Sequence, residues 1–333
     1  MIVSPALAAA NNGNWQTAWR WSRMLRPDFN TVIAKQWAGE DVDVLLALHA
    51  RRSAQSVAAW ARAKGSKGLA VVLTGTDLYR DIHSDASAQQ SLELAGRLVV
   101  LHELAPTALP ARLRAKTTVL FQSAPPRRAL TKTSRHLRAL MVGHLRDEKD
   151  PLTYVRAARR LGCAADIYLD HIGDALDDAL GQACAAASVE LPHYRWLGGL
   201  PHAVTRARIQ RAHVLVHASK MEGGAHVILE AVQSGTPVLA SRIDGNVGML
   251  GAGYAGYFAL GDDVALSALL QRCRDDCDFL PRLRQQCLAR SAQFDPGRER
   301  SLLLQLVSAL TADASAPDSP LTNCHGKSNE PSH

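Results

Sequence analysis

Short apolar runs alternate with amphipathic stretches along most of the chain. Residues 2–4, 31–34, 42–48, 69–73, 98–101 and 118–121 read as buried strands, with helices at 15–25 and 53–63 between them. The pattern pauses at Ser123-Ala124-Pro125-Pro126-Arg127-Arg128 and the polar stretch to Arg135, which has turn chemistry and little apolar content. It then restarts. Residues 137–142, 166–169, 194–197, 214–216, 238–240 and 256–258 read as strands, with helices at 151–161, 175–187, 203–211 and 226–233 and two or three more toward the end. Alternation of this kind predicts parallel strands joined by crossover helices, an α/β fold in two halves.

The two halves read as Rossmann-like domains, 1–130 and 136–295, facing each other across a cleft. A last helix, about 296–310, is expected to cross back to the first domain. Residues 311–333, rich in Ser, Pro, Asn and Asp, predict a disordered tail.

The most informative stretch is HVLVHASKMEGGAHVILEAVQSGTPVLAS, His213 to Ser241. Two buried strands flank a short helix opened by Gly223-Gly224 and closed by Gly235, with Pro237 beyond it. The loop falls at the carboxyl end of a strand, where open α/β sheets bind ligands. On one continuous helix Glu222 and Glu230 would lie roughly 80° apart around the axis. The glycines instead place Glu222 in the loop and Glu230 one turn into the helix, on the face of His226. Free amides from Gly223, Gly224, Ala225, His226 and Val227 at such a helix start suit a phosphate, and a carboxylate beside them suits sugar hydroxyls. Taken singly, either glutamate reads more simply as a helix-start or solvated residue.

A second loop, Val142-Gly143-His144-Leu145-Arg146-Asp147-Glu148-Lys149-Asp150-Pro151, joins a strand to a helix. Asp150 is a good N-cap and Pro151 suits the first helical position, so Lys149 stands at a helix start where it can grip a phosphate. The plain alternative is a capped loop with a solvated lysine. Asn11-Asn12-Gly13-Asn14 follows the first strand, and Thr74-Gly75-Thr76-Asp77 and His49 end later ones. With His102, these are candidates to line the cleft. Arg242 to Gly248 reads as a glycine-broken loop able to close over a ligand. Asp41-Val42-Asp43 lies at the wrong end of its strand for a metal. Asp170-His171 with Asp174 reads as a loop and cap rather than a metal site.

The chain has 333 residues, enough for two ordinary domains, with 47% hydrophobic residues and no apolar run near the ~20 residues of a membrane span. Its start, MIVSPALAAANNG, lacks the basic region and long apolar core of a signal peptide, so a cytoplasmic protein is expected. The six cysteines form no C-x2-C pair and read as structural thiols. A net charge of +7, with arginines spread over many helices and only 5% aromatics, disfavours nucleic acid and fits small phosphorylated molecules. Without a basic amphipathic stretch for a membrane surface, a small, soluble, anionic partner is expected.

The E-G-G-A-H-V-I-L-E-A-V-Q-S-G-T-P run resembles the E-x7-E signature of retaining, family 4 type GT-B glycosyltransferases. The resemblance implies an enzyme of GT-B architecture, independent of metal and cofactor, in which Glu222 approaches the donor sugar and Glu230 the ribose. The V-G-H-L-R-D-E-K run resembles the family's G-R-L-x3-K-G segment, which implies Gly143 and Lys149 at the diphosphate. His144 stands where the family has Arg, leaving His144 or Arg146 as its substitute. By the same resemblance, Asn12, Gly13, Asn14, Thr74, Gly75, Thr76 and Asp77 are expected at the acceptor, and His49 joins them by its place at a strand end. Together with S-R-I-D-G-N-V-G-M-L-G, these runs resemble the selenosugar synthases of bacterial selenoneine biosynthesis. That narrower likeness implies transfer from UDP-N-acetylglucosamine or UDP-glucose to selenophosphate. Two alternatives stay open: a family 4 glycosyltransferase with a small hydroxyl or thiol acceptor, and a non-catalytic nucleotide-sugar binding protein.

Overall fold

The computed structural model describes residues 1–7, 13–162 and 166–315. The first half contains β1 (Ile2–Val3), α1 (Gly13–Leu25), β2 (Ile33–Ala34), β3 (Leu45–Leu48), α2 (Ala54–Lys64) and β4 (Leu69–Val72). It continues through α3 (Ile82–Ser84), α4 (Ala86–Leu94), β5 (Arg97–Val100), α5 (Ala111–Arg114) and β6 (Thr117–Val119). The second half begins with β7 (Leu137–Val142), α6 (Pro151–Leu161), β8 (Ile167–Ile172), α7 (Asp178–Glu190) and β9 (Tyr194–Trp196). It goes on with α8 (His202–Arg211), β10 (Val214–His217), α9 (His226–Val232), β11 (Val238–Ser241), α10 (Asp244–Leu250) and β12 (Tyr257–Phe258). Three helices end the described chain: α11 (Asp263–Asp275), α12 (Phe279–Arg290) and α13 (Pro296–Ser315).

Among the described residues the strands form two six-stranded parallel sheets, ordered β2-β1-β3-β4-β5-β6 and β12-β11-β10-β7-β8-β9. Read by chain position within its half, the second is the 3-2-1-4-5-6 order of a doubly wound Rossmann sheet. The near-continuous apolar strands are buried on both faces, as parallel sheets require.

Helix α13 does cross back. Leu303, Leu306, Val307 and Leu310 pack with Trp21, Leu25, Leu46 and Leu48 of the first domain. It extends five residues past the expected end at 310, because Asp313 pairs with Arg97 at 3.3 Å and Ala314 lies against the Gly68 turn. The linker segment attaches early to the second domain: Phe121 and Ala124 lie in that domain's core, and the Arg127 amide donates to the Gln233 carbonyl at 2.7 Å.

Two expectations are corrected. Residues 244–250 are helix α10, not a loop. Asn246, fully buried, donates to the Ser241 carbonyl at 2.8 Å, and Gly245 and Gly248 pack so closely on Glu222 and His102 that a Cβ would not fit. These glycines serve close approach rather than chain breaking. Asp150 sits at the N-cap position in the left-handed region, φ 45° and ψ 57°, and its carboxylate accepts from the Thr153 hydroxyl at 2.6 Å instead of capping an amide. Helices at 82–94 went unread in the sequence because that segment is polar. The signal was Asp85, whose carboxylate caps α4 by accepting from the Ala88 amide at 2.9 Å.

Candidate active site

The order of the second sheet reverses between β7 and β10, so the loops leaving them diverge and open a crevice at their carboxyl ends. The loop after β7 carries Lys149 and the loop after β10 carries Glu222. Two contacts tie the loops together: Lys220 Nζ to Asp147 at 2.5 Å, and the Lys220 amide to the Glu148 carbonyl at 2.9 Å. The Lys149 stem lies over Gly143, 3.5 Å from where a Cβ would stand. Its ammonium donates to Glu222 Oε1. His217, the last residue of β10, approaches the same oxygen with Nε2 at 3.3 Å.

Burial pushes the Glu222 carboxyl up, but the Lys149 ammonium and His217 outweigh it and hold the group well below the usual carboxylate range. Paired in this way, Glu222 is an anion, able to accept from hydroxyls.

Glu230 occupies a second node, one turn into α9. Its Oε1 accepts from His202 Nε2 at 2.6 Å and faces His226 Nδ1 at 3.3 Å and Arg206 Nε at 3.6 Å. Burial works to raise its carboxyl, and the hydrogen bonds from His202 and His226 bring it down to about 2. This node continues into the first domain. His226 Nε2 meets Arg20 Nη1 at 3.0 Å, and Arg20 also binds the buried Glu299.

The first domain closes on this crevice through small residues. A Cβ on Gly75 would stand 2.8 Å from the Gly223 nitrogen, and one on Gly224 would stand 2.9 Å from Leu101 Cβ. His102 abuts Gly248. It bonds the Tyr79 hydroxyl at 2.8 Å through Nε2, its Nδ1 is buried without a partner, and burial pushes it down to about 4. Ion pairs Arg80–Glu148 and Arg290–Glu103, both 3.0 Å, bridge the domains around this contact.

The other expected site residues fall as follows. Asp77 is buried and brings in three backbone amides, from Ala50 at 2.9 Å, Thr74 at 2.9 Å and Gly75 at 2.8 Å. It is fully buried and braces the turn. His49 is also internal, at φ 75°, bonded to the Thr76 hydroxyl at 3.1 Å and set between Asp77 and Asp81. His49 is buried within the first domain, and Thr76 is half-buried beside it. Thr74 and Gly75 do reach the opposite domain, through Gly223.

Gly13 and Asn14 begin α1, and Asn12 lies outside the described residues. His144 accepts from the Asp174 amide at 3.1 Å, and Arg146 faces Glu148 at 3.9 Å, so neither is drawn to the Lys149–Glu222 pair. The Ala225 amide points at the Met249 sulfur, 3.2 Å away, which corrects its expected use for a phosphate. Val227 lies in the first turn of α9. Asp170 is held by Arg138 and Arg195 at 2.9 and 2.8 Å.

Sequence reasoning missed His217, His202, Arg206 and Arg20. Only His217 carried a signal, as the residue that closes the Val214-Leu215-Val216 strand at its carboxyl end. The others come from helix faces that only packing brings to Glu230, or in the case of Arg20 to His226.

Two Rossmann-type sheets facing across a crevice, with the last helix returning to the first domain, define the GT-B architecture. Residues 126–276 match the family model of glycosyl transferases group 1. The chain is similar to glycosyltransferase 1 domain-containing protein 1 of Xenopus tropicalis, 26% identical over 280 residues, covering 74% of this chain and 79% of the relative. Among solved structures it is similar to HepE of Anabaena in complex with UDP-glucose, with TM-score 0.66, 16% identity and coverage of 80% and 79% of the two chains. The sucrose-phosphate synthase of Thermosynechococcus elongatus is comparable, with TM-score 0.65, 16% identity and coverage of 81% and 74%. The chain has the GT-B architecture, and its second domain is similar to glycosyl transferases group 1.

Proposed function

We propose that the chain transfers a glycosyl group from a UDP-sugar to a small anionic acceptor, and that the acceptor is selenophosphate. The pairing of Lys149 with Glu222 at the β7/β10 crevice carries the donor half of this reading. A UDP-sugar entering there presents its diphosphate to the Lys149 ammonium, which stabilises the departing UDP. Glu222, released from Lys149, accepts hydroxyls of the sugar. Glu230 holds the ribose. The acceptor half rests on the sequence resemblance, supported by the close approach of Gly75 to Gly223 and of Leu101 to Gly224, which suits a small acceptor over a bulky one.

In the proposed step, selenium attacks the anomeric carbon with its own electron pair, the carbon–oxygen bond to the diphosphate breaks, and UDP leaves with that pair. Selenium in selenophosphate is already a strong nucleophile, so no general base is required. Hydrolysis of the selenium–phosphorus bond then yields the selenosugar and phosphate.

The test is incubation with UDP-N-acetylglucosamine or UDP-glucose and selenophosphate, read by mass spectrometry, with hydroxyl and thiol acceptors in parallel. A selenium-containing sugar product is expected. UDP release with the hydroxyl or thiol acceptors and none with selenophosphate would replace the acceptor and keep the donor reading.

A further inference from the structure

Arg20 lies on α1 in the first domain, yet its guanidinium reaches the nucleotide side of the crevice. Nε and Nη2 bind the fully buried Glu299 carboxylate of α13, each at 3.0 Å for its nearer oxygen, and Nη1 meets His226 Nε2 at 3.0 Å. A guanidinium has five donors and no acceptor. His226 Nε2 must therefore present its lone pair, and the ring proton must sit on Nδ1. That nitrogen faces Glu230 Oε1 at 3.3 Å. The charged and titratable groups around this path are Arg20 from α1, Glu299 from α13, Glu230 from α9, and His202 and Arg206 from α8 beyond the carboxylate.

We infer that Arg20 is a positioning residue: it fixes the tautomer of His226 and through it aims the Glu230 carboxylate, so that nucleotide binding in the second domain depends on the first domain being in place. This inference rests on the reading of Glu230 as the ribose-holding group. Burial lowers the His226 ring below the ordinary histidine range, with Glu230 opposing and Arg20 adding to the shift.

The anchor of Arg20 is itself at the junction of the domains. Glu299 also accepts from Trp21 Nε1 at 2.7 Å and from the amide of Ser123, where the chain crosses over, at 2.9 Å. Arg20 thus stays with α1 and α13 while His226 belongs to the second domain, and domain separation breaks the Nη1–Nε2 contact. Nucleotide occupancy and domain approach are then one linked equilibrium.

The test measures UDP affinity by calorimetry from pH 6 to 8. Arg20→Met should weaken binding about tenfold, the scale of one lost hydrogen bond to a charged group. It should also make binding pH-dependent near pH 6–7, since His226 is freed to change its protonation. Arg20→Lys should restore most of the affinity. His226→Leu should lose as much as Arg20→Met, and the double variant no more than either.

Glu230→Ala serves as the control for the underlying reading. If it weakens UDP while folded Arg20→Met leaves affinity and pH profile unchanged, the inference fails and the ribose assignment stands. If Glu230→Ala itself leaves UDP binding unchanged, both fall. Should Arg20→Met not fold, the wild-type histidine ring-nitrogen NMR spectrum decides, with the His226 signal assigned by its loss in His226→Leu. A proton on Nδ1 is expected, and one on Nε2 overturns the inference.

Discussion

Asp77 and Glu222 are both buried carboxylates just past the carboxyl end of a parallel strand, one in each domain, and they do opposite work. Asp77 is held by backbone amides from Ala50, Thr74 and Gly75, partners that cannot leave without unfolding the turn. Glu222 is satisfied by the side chains of Lys149 and His217, which can be re-partnered when a ligand arrives. Burial alone does not make a carboxylate functional. The nature of its partners differs: main-chain donors hold Asp77 as a strut, and side-chain donors hold Glu222.

The contrast can be broken most directly at Lys149. Lys149→Ala should lower kcat about 100- to 1000-fold, the usual cost of removing a preorganised charge from a developing anion. Its loss of thermal stability should be smaller than that of Asp77→Ala. Wild-type turnover in a steady-state UDP-release assay would remove Lys149 from the diphosphate.

Asp77→Ala should behave the other way. Three buried amides lose their acceptor, so unfolding free energy should drop on the order of 3 kcal/mol in a urea titration. A stable variant with normal folding and lost acceptor KM would return Asp77 to the acceptor site.

Glu230→Ala sharpens the comparison on the donor side, with UDP affinity falling about tenfold by calorimetry and stability changing less than in Asp77→Ala.

The smallest effect is in pH dependence. His102 is neutral in the fold, pushed from an ordinary 6.5 down to about 4 by burial. A depressed histidine adds stability that is whole above the unfolded value and lost as pH falls through 6.5 toward 4, because the unfolded chain takes up the proton first. From pH 6.5 to 5.5 this single group should cost about 1 kcal/mol. His102→Asn should lack that increment, so parallel stability curves for wild type and variant would refute its burial as a neutral ring.

Much of the architecture was legible beforehand because parallel strands announce themselves. Runs such as Leu45–Leu48 and Val238–Ser241 are apolar throughout, and the helices between them are amphipathic. Helix α10 was not legible. Gly245 and Gly248 read locally as breakers, while their actual role, to admit Glu222 and His102 at close range, is a property of two other segments. The same limit applied to His49 and Asp77. Both stand near strand ends, where ligands bind, and chain order does not show whether a side chain there turns to the crevice or back into its own domain.

The sequence by itself determined the two α/β halves, the strand-loop-helix unit around Glu222 and the lysine loop at 149, because period, glycine placement and residue spacing are local quantities. Tertiary structure alone decided the partners. Lys149 and Glu222 are 73 positions apart and Arg20 and His226 are 206 apart. No local periodicity encodes such contacts. They arise when β7 and β10 become neighbours in one sheet and α13 draws α1 against the second domain. The ionisation of Glu222 and the tautomer of His226 follow from those contacts, since the proton's position depends on what stands within hydrogen-bonding reach.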